Sequence, residues 1–367
     1  MTTEILTRRQ LNRATLARQM LLERANEPPS GAVARLAGMQ AQEPAPPFVG
    51  LWTRLAAFAP ADLLAMLHER SVVRCTALRG TLHLLTADDY RAWRGPAEPG
   101  VRQALATLGS RAAGLEPDAV LARAHALFAE RPRTFNDLRE ALAGEFPGVD
   151  ERALGYVARM GLPLVMVPNE GDHWGFPSDP VFGLAEDWLG PVAPNEDATR
   201  AMALRYLAAF GPASASDFGA WSGLKGAKAL FEALRPDLVS FRDERRRDLF
   251  DLPDAPRPVP EVPAPVRFLP AFDNILLAHD DRSRIIADEH RPRVVTKNLR
   301  VHPTFLVDGL VAGTWKAERK RATAILRLAP FAPLSAGATE ALAAEGDALL
   351  QFLEPDAAAR EVAFGTD

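Results

Sequence analysis

One pattern recurs three times along this chain and narrows what it can fold into: a run of helical spacings, then two short apolar, β-branched segments around a turn. In the first round, Leu11, Leu16, Met20 and Leu21 alternate with Arg8, Arg9, Arg13, Arg18 and Arg24, which predicts an amphipathic helix with a basic outer face. Pro28 and Pro29 stop it, and a second helix with Val33, Leu36 and Ala37 on its apolar side is expected to deliver Gln40. A further helix over residues 60 to 69 leads into two strands between Val72 and Leu85, broken at Leu78-Arg79-Gly80.

The second round has helical spacing over 117–129, 134–143 and 150–160. A strand at Leu164-Val165-Met166-Val167 follows, then a turn at Asn169-Glu170-Gly171 and a strand at His173-Trp174-Gly175-Phe176. The third has helices near 196–210, 214–221 and 225–234, then strands at Leu238 to Arg242 and Arg247 to Phe250. Element order repeats while residues do not. Three helices closed by a hairpin make the winged-helix unit, a relative of helix-turn-helix. Six prolines between 253 and 266 mark an extended linker. Beyond it the period shifts toward two, with a hairpin around Asp308-Gly309, a strand at 324–328 and a helix over 336–353. The expected architecture is α+β: winged-helix units at 1–115, 116–194 and 195–252, the linker at 253–266, and a β-rich, barrel-like or curled-sheet domain at 267–367.

Composition removes several function classes. Cys75 is the only cysteine, so disulfides within the chain are impossible, and the seven histidines include no H-x-x-x-H pair, so no metal site and no cofactor is expected. No stretch approaches the roughly 18 to 20 apolar residues of a membrane span, and Leu6-Thr7-Arg8-Arg9 does not read as a leader, so a cytoplasmic protein is expected. Residues 219–228 fit no phosphate-loop register, and no G-x-S-x-G elbow occurs. A net charge of −4 argues against nucleic acid, but its distribution argues for it. Ten basic residues against four acidic ones lie between Arg282 and Arg321, a candidate phosphate-tracking surface.

Gln40-Ala41-Gln42 stands where the second helix runs into Pro44, Pro46 and Pro47. In a helix, i and i+2 face apart; if the chain is extended from Ala41 onward, the two amides come to one side. On these residues alone the pair reads first as capping the helix end and bonding the proline loop.

Leu-x-x-Met-Gln40-Ala41-Gln42-x-Pro, Arg79-Gly80-Thr81-Leu82-His83-Leu84, Phe210-Gly211-Pro212-Ala213 with Trp221-Ser222-Gly223-Leu224, Leu269-Pro270-Ala271-Phe272-Asp273 and Gly313-Thr314-Trp315 occur in this order over nearly the whole chain. Together they resemble the AlkZ/YcaQ-type winged-helix DNA glycosylases, in the Q-x-Q branch. Ala41 departs from that pattern, which usually has a larger apolar residue between the glutamines. The resemblance implies a monofunctional DNA glycosylase with Gln40 and Gln42 as catalytic residues. The substrate would be an alkylated purine, cationic at N7 or N3, in double-stranded DNA, with bulky adducts or interstrand crosslinks included. The expected DNA-contacting set is Arg79, His83, Arg282, Arg284, Lys297, Arg300 and Lys316, on a monomer that associates with the nucleoid when bound to DNA. The alternative from a different class is a non-catalytic winged-helix protein, regulatory or architectural.

Overall fold

The computed structural model describes residues 4–191 and 197–365. The expected boundary between residues 194 and 195 therefore lies outside the described residues. Strand β1 (Ile5–Leu6) and the helix Arg8–Arg18 open the chain, with Thr7 and Gln10 forming a reciprocal capping box. Helix Pro29–Arg35, β2 (Met39–Gln40), helices Pro46–Trp52 and Pro60–His68, β3 (Val72–Thr76), β4 (Leu82–Thr86) and helix Ala87–Gln103 follow. The second round runs through helix Pro117–Glu130, β5 (Arg133–Thr134), helices Phe135–Glu145 and Glu151–Gly161, β6 (Leu164–Met166) and β7 (Val181–Leu184). The third comprises helices Ala198–Phe210, Ala215–Ser222 and Ala227–Leu234, then β8 (Val239–Asp243) and β9 (Asp248–Asp251). The triple recurrence of helices closed by a hairpin is thus present in space.

The first two hairpins do not stand apart. Cys75 of β3 pairs with Val165 of β6, joining them into one six-stranded sheet of order β2-β4-β3-β6-β7-β5. A sheet therefore runs across the expected 115/116 boundary. The third hairpin recruits the start of the chain, because β1 lies parallel to β8 with Ile5 opposite Arg242.

Two sequence expectations are corrected. The second strand of the middle hairpin is β7 at Val181–Leu184, not 173–176. Gly175 adopts a φ of +76° and Pro177 and Pro180 withhold ladder donors, so that segment turns, and Phe176 and Trp174 pack as core residues instead. The first helix, moreover, has no basic outer face at Arg13 and Arg18, which are 0% and 1% exposed. Arg18 makes a bidentate pair with Asp251 at 2.8 Å and donates to the Pro256 carbonyl, while Arg13 pairs with Asp308 and donates to the Val262 carbonyl at 2.6 Å. The proline linker explains this: an extended proline backbone has no internal hydrogen bonds, and its carbonyls are satisfied by these guanidinium forks.

The last domain is an open five-stranded sheet, β10 (Arg267–Leu269), β11 (Thr304–Val307), β12 (Leu310–Lys320), β13 (Thr323–Pro330) and β14 (Ala359–Phe364), in that order. The helix Ala336–Leu353 carries the chain from β13 to the parallel β14 and buries Leu342, Leu349 and Leu350. Asp308 and Gly309, with φ of 47° and 79°, form the expected β11–β12 turn, packed so tightly on the first helix that a Cβ on Gly309 would lie 2.5 Å from Leu16 Cδ1. A buried bidentate pair, Arg54 with Asp273 at 2.8 Å, ties this domain to the first unit. Among the described residues, no helix is long and apolar enough to cross a membrane.

Candidate active site

The glutamine motif is not delivered by a helix. The helix Pro29–Arg35 ends in a Schellman closure, in which the Gly38 N–H donates to Val33 O at 3.1 Å and the Ala37 N–H to Ala34 O at 3.0 Å. Ala37 and Gly38 both take positive φ, 54° and 78°, and a Cβ on Gly38 would lie 2.2 Å from Leu85 Cδ2. The chain therefore reverses before Met39 and enters β2, where Met39 faces Leu84 and Gln40 faces His83. The Ala41 N–H donates to Leu82 O at 2.7 Å and prolongs the pairing. Gln40-Ala41-Gln42 thus lies along an edge of the six-stranded sheet. Ala41 is fully buried in the core, so the glutamines on either side are directed away from it, Gln40 half-buried and Gln42 exposed.

Both carboxamides are engaged. Gln40 Oε1 accepts from Arg79 Nη2 at 2.9 Å, and Gln42 Oε1 accepts from the Leu82 N–H at 3.3 Å, taking the place of a further ladder carbonyl on β4. The backbone is held from two sides. Asn274 Oδ1 accepts from the Gln40 N–H at 3.3 Å, while Asn274 Nδ2 donates to Gly38 O at 2.6 Å and Leu36 O at 3.2 Å. Arg74 donates from Nε to Ala41 O at 2.9 Å and from Nη2 to Gln42 O at 3.1 Å. Neither Asn274 nor Arg74 was singled out from the sequence. Asn274 follows Asp273 directly in a recognised motif, and Arg74 interrupts an otherwise apolar strand; those were the available signals.

The expected DNA contacts fall into three groups. Arg79, at a φ of 56° in the β3–β4 turn, donates to the Trp221 carbonyl and to Gln40. Burial, then the nearby Arg282 charge, lowers its pKa to about 10. His83 is buried with Nδ1 on Thr81 O, and burial followed by the Arg79 charge pushes it down to about 3, so the ring is neutral at physiological pH. Arg282, half-buried, donates to the His279 carbonyl at 3.3 Å, and its charge is felt by Arg79. Lys297, Arg300 and Lys316 are exposed, and Arg300 pairs with Glu43 at 3.0 Å. Arg300, Lys316 and Glu43 border a cleft of about 640 Å³ that the partly buried Trp174 and the buried Trp315 also line. Arg284 is a correction: it is 3% exposed and donates to Pro212 O at 2.9 Å, so it braces the fold and cannot reach a phosphate.

The glutamine pair is therefore held by guanidiniums, neutral amides and backbone groups beside a neutral imidazole, with the adjoining carboxylate, Glu43, paired to Arg300. A model of the family "DNA glycosylase AlkZ-like" matches residues 33–352, which spans the helix-end reversal, both glutamines and their supports. The chain belongs to the AlkZ-like DNA glycosylases. Within that family it is 26% identical over 335 residues to an interstrand DNA cross-link repair glycosylase of Streptomyces sahachiroi, an alignment covering 82% of this chain and 85% of that one. Its fold matches the solved structure of the Streptomyces sahachiroi DNA glycosylase AlkZ with a TM-score of 0.73 at 20% identity, over 98% of this chain and 100% of the other. As a member of the AlkZ-like family the chain is a DNA N-glycosylase.

Proposed function

We propose that this DNA glycosylase hydrolyses the N-glycosidic bond of purines already made cationic by alkylation at N7 or N3 in duplex DNA, with Gln42 and Gln40 as its catalytic pair. The observation that carries this reading is the character of the groups bonded to the two amides: the Gln40 carboxamide oxygen accepts from Arg79 and the Gln42 carboxamide oxygen from the Leu82 N–H, and neither donor is a carboxylic acid. Glycoside hydrolysis ordinarily needs a carboxylic acid to protonate the leaving group. A cationic purine needs none, because the electron pair of the breaking C1′–N bond neutralises the base as it departs. What remains is to hold a water against the developing oxocarbenium ion and to direct negative dipoles at it.

An amide oxygen has two lone pairs, and each glutamine has one in use. Gln42, the exposed member, accepts from the attacking water with its second lone pair and faces the cation with the carbonyl dipole. Gln40, fixed by Arg79, orients the water or the deoxyribose. Water adds at C1′, its proton passes to solvent, and an abasic site and a neutral base result. The relative's role in interstrand cross-link repair supports extending the substrate range to bulky adducts and crosslinks.

The test is release of N7-methylguanine from duplex DNA, read as alkali-induced strand breaks under single turnover. Gln42→Ala and Gln40→Ala are each expected to slow release by about 10²-fold, within the usual range for positioned groups that handle water. A wild-type protein that releases no base, or alanine variants as fast as wild type, would overturn the reading. Uracil, a neutral base, is expected to stay in place.

A further inference from the structure

A pocket of about 420 Å³ opens beside Gln42, framed by Arg74, Leu82, Arg159, Phe176 and Phe182. Its most unusual wall is Arg159, near the end of the helix Glu151–Gly161. The Nε of Arg159 is buried with no hydrogen-bond partner, and no carboxylate lies within ion-pairing distance of its guanidinium among the described residues. Arg159 as a whole is half-buried; a buried guanidinium nitrogen without a partner is costly, and the group that would satisfy it carries negative charge and several acceptors. Arg74 faces the same space. It spends Nε and Nη2 on the Ala41 and Gln42 carbonyls and stacks over Phe176 at 4.9 Å, which leaves Nη1 for a further acceptor.

The two cations feel each other. Burial, then the Arg159 charge, lowers the Arg74 pKa to about 10. The pocket's own carboxylates do not relieve them: Glu43 is held by Arg300 at 3.0 Å and Asp179 accepts from Asn136 at 2.6 Å. We propose that this pocket is a phosphate site, and that its occupant is one backbone phosphodiester of the DNA strand carrying the lesion, gripped by Arg159 with Arg74. The inference rests on the reading above in placing the lesion's deoxyribose at Gln42. That sugar carries one phosphodiester on its 3′ oxygen and another on its 5′ oxygen, so an anion site next to Gln42 lies where the chain of phosphates must pass. Arg74 then links phosphate to catalysis, since the same guanidinium holds the backbone on either side of the Gln42 side chain.

Binding to undamaged duplex by fluorescence anisotropy across a salt series tests the contact without requiring turnover. Arg159→Gln is expected to weaken binding and to reduce the slope of log affinity against log salt by about 0.9, the value for one phosphate contact. Arg159→Lys keeps the charge and is expected to retain the slope. Gln42→Ala is expected to leave it unchanged, so a failed catalytic reading and a failed phosphate site are separable. Duplexes with a single methylphosphonate flanking the N7-methylguanine locate the partner: one such neutral linkage should weaken wild type but not Arg159→Gln. An unchanged slope in an Arg159→Gln protein that melts like wild type overturns the site. Stabilisation of wild type by inorganic phosphate, with no methylphosphonate position having any effect, would show a free-anion site and overturn the phosphodiester assignment.

Discussion

Arg79 donates from Nη2 to the Gln40 carboxamide oxygen at 2.9 Å across the edge of the sheet. The bond decides which end of the amide faces outward: with Oε1 held by the guanidinium, the Nε2 hydrogens point away from Arg79 and one oxygen lone pair stays open. A residue that reads from the sequence as a DNA contact thus acts on Gln40. The Leu78–Gly80 turn presents it from a positive φ, braced on the Trp221 carbonyl.

Removing that donor should cost rate more than affinity. Arg79→Met keeps much of the buried stem and loses a charge-assisted hydrogen bond, typically worth about 1.5–3 kcal/mol. Single-turnover base release is expected to fall by about 10- to 100-fold, with DNA affinity changing far less. Rate constants and anisotropy measured on the same preparation check this; equal losses in both would return Arg79 to the role of a phosphate contact.

Asp273 ties stability to the site. It pairs with Arg54 through two bonds of 2.8 Å with both side chains about 1% exposed, and it immediately precedes Asn274, which holds the Gln40 N–H. Asp273→Ala leaves Arg54 buried and unpaired, so a loss of about 3–5 kcal/mol in urea unfolding is expected. Arg54→Met combined with Asp273→Leu removes both charges and is expected to recover most of that stability. It should not recover base release, because the Asp273 Oδ1 bond to the Ile275 N–H, which shapes the turn carrying Asn274, is also gone.

How far the sequence could reach is visible at particular residues. Most helices, the first and third hairpins and the Asp308-Gly309 turn follow from local spacing and turn chemistry, whereas the middle hairpin's second strand lies at Val181–Leu184 and the first helix ends at Arg18 rather than at Pro28. The reversal at Ala37 and Gly38 was hidden because alanine rarely takes positive φ, so the apolar run Val33-Leu36-Ala37 reads as helix through to Gln40. Arg13, Arg18 and Arg284 look like surface charge because sequence distance conceals their acceptors: Asp251, Asp308 and the Pro212, Pro256 and Val262 carbonyls all arrive from far along the chain. Asn274 and Arg74 were missed for the same reason. Their partners are backbone groups, which leave no side-chain signature.

The pH dependence follows from two buried histidines. His83 and His279 are both driven down to about 3, chiefly by burial. The unfolded rings titrate near about 6.5, so between the two values the unfolded chain binds more protons than the folded one. Stability is accordingly full above that upper value and falls as pH drops through the window, by up to about 1.4 kcal/mol per pH unit for each ring. Urea midpoints between pH 7.5 and 5 measure it, and His83→Gln should remove about half of the slope. Base release, needing no proton donor, is expected to stay flat from pH 6 to 8; a bell-shaped profile there would require an acid among the catalytic groups.

Exposed and buried cations should separate in salt dependence. Lys297 and Lys316 lie on the surface and Arg284 is 3% exposed, although all three fall in the same basic stretch. Counterions are released only from charges that meet phosphate, so Lys297→Gln and Lys316→Gln are each expected to lower the salt slope by up to about 0.9. Arg284→Met removes a buried donor to Pro212 O and leaves that carbonyl unsatisfied, which is expected to cost about 1–3 kcal/mol in stability while the slope holds. Arg300 combines both behaviours. It pairs with Glu43 beside Gln42, so Arg300→Gln frees a carboxylate at the edge of the site, and its loss of affinity at low salt should exceed that of either lysine. Adding Glu43→Gln to that variant removes the freed charge and is expected to restore the difference, which the double substitution measures directly.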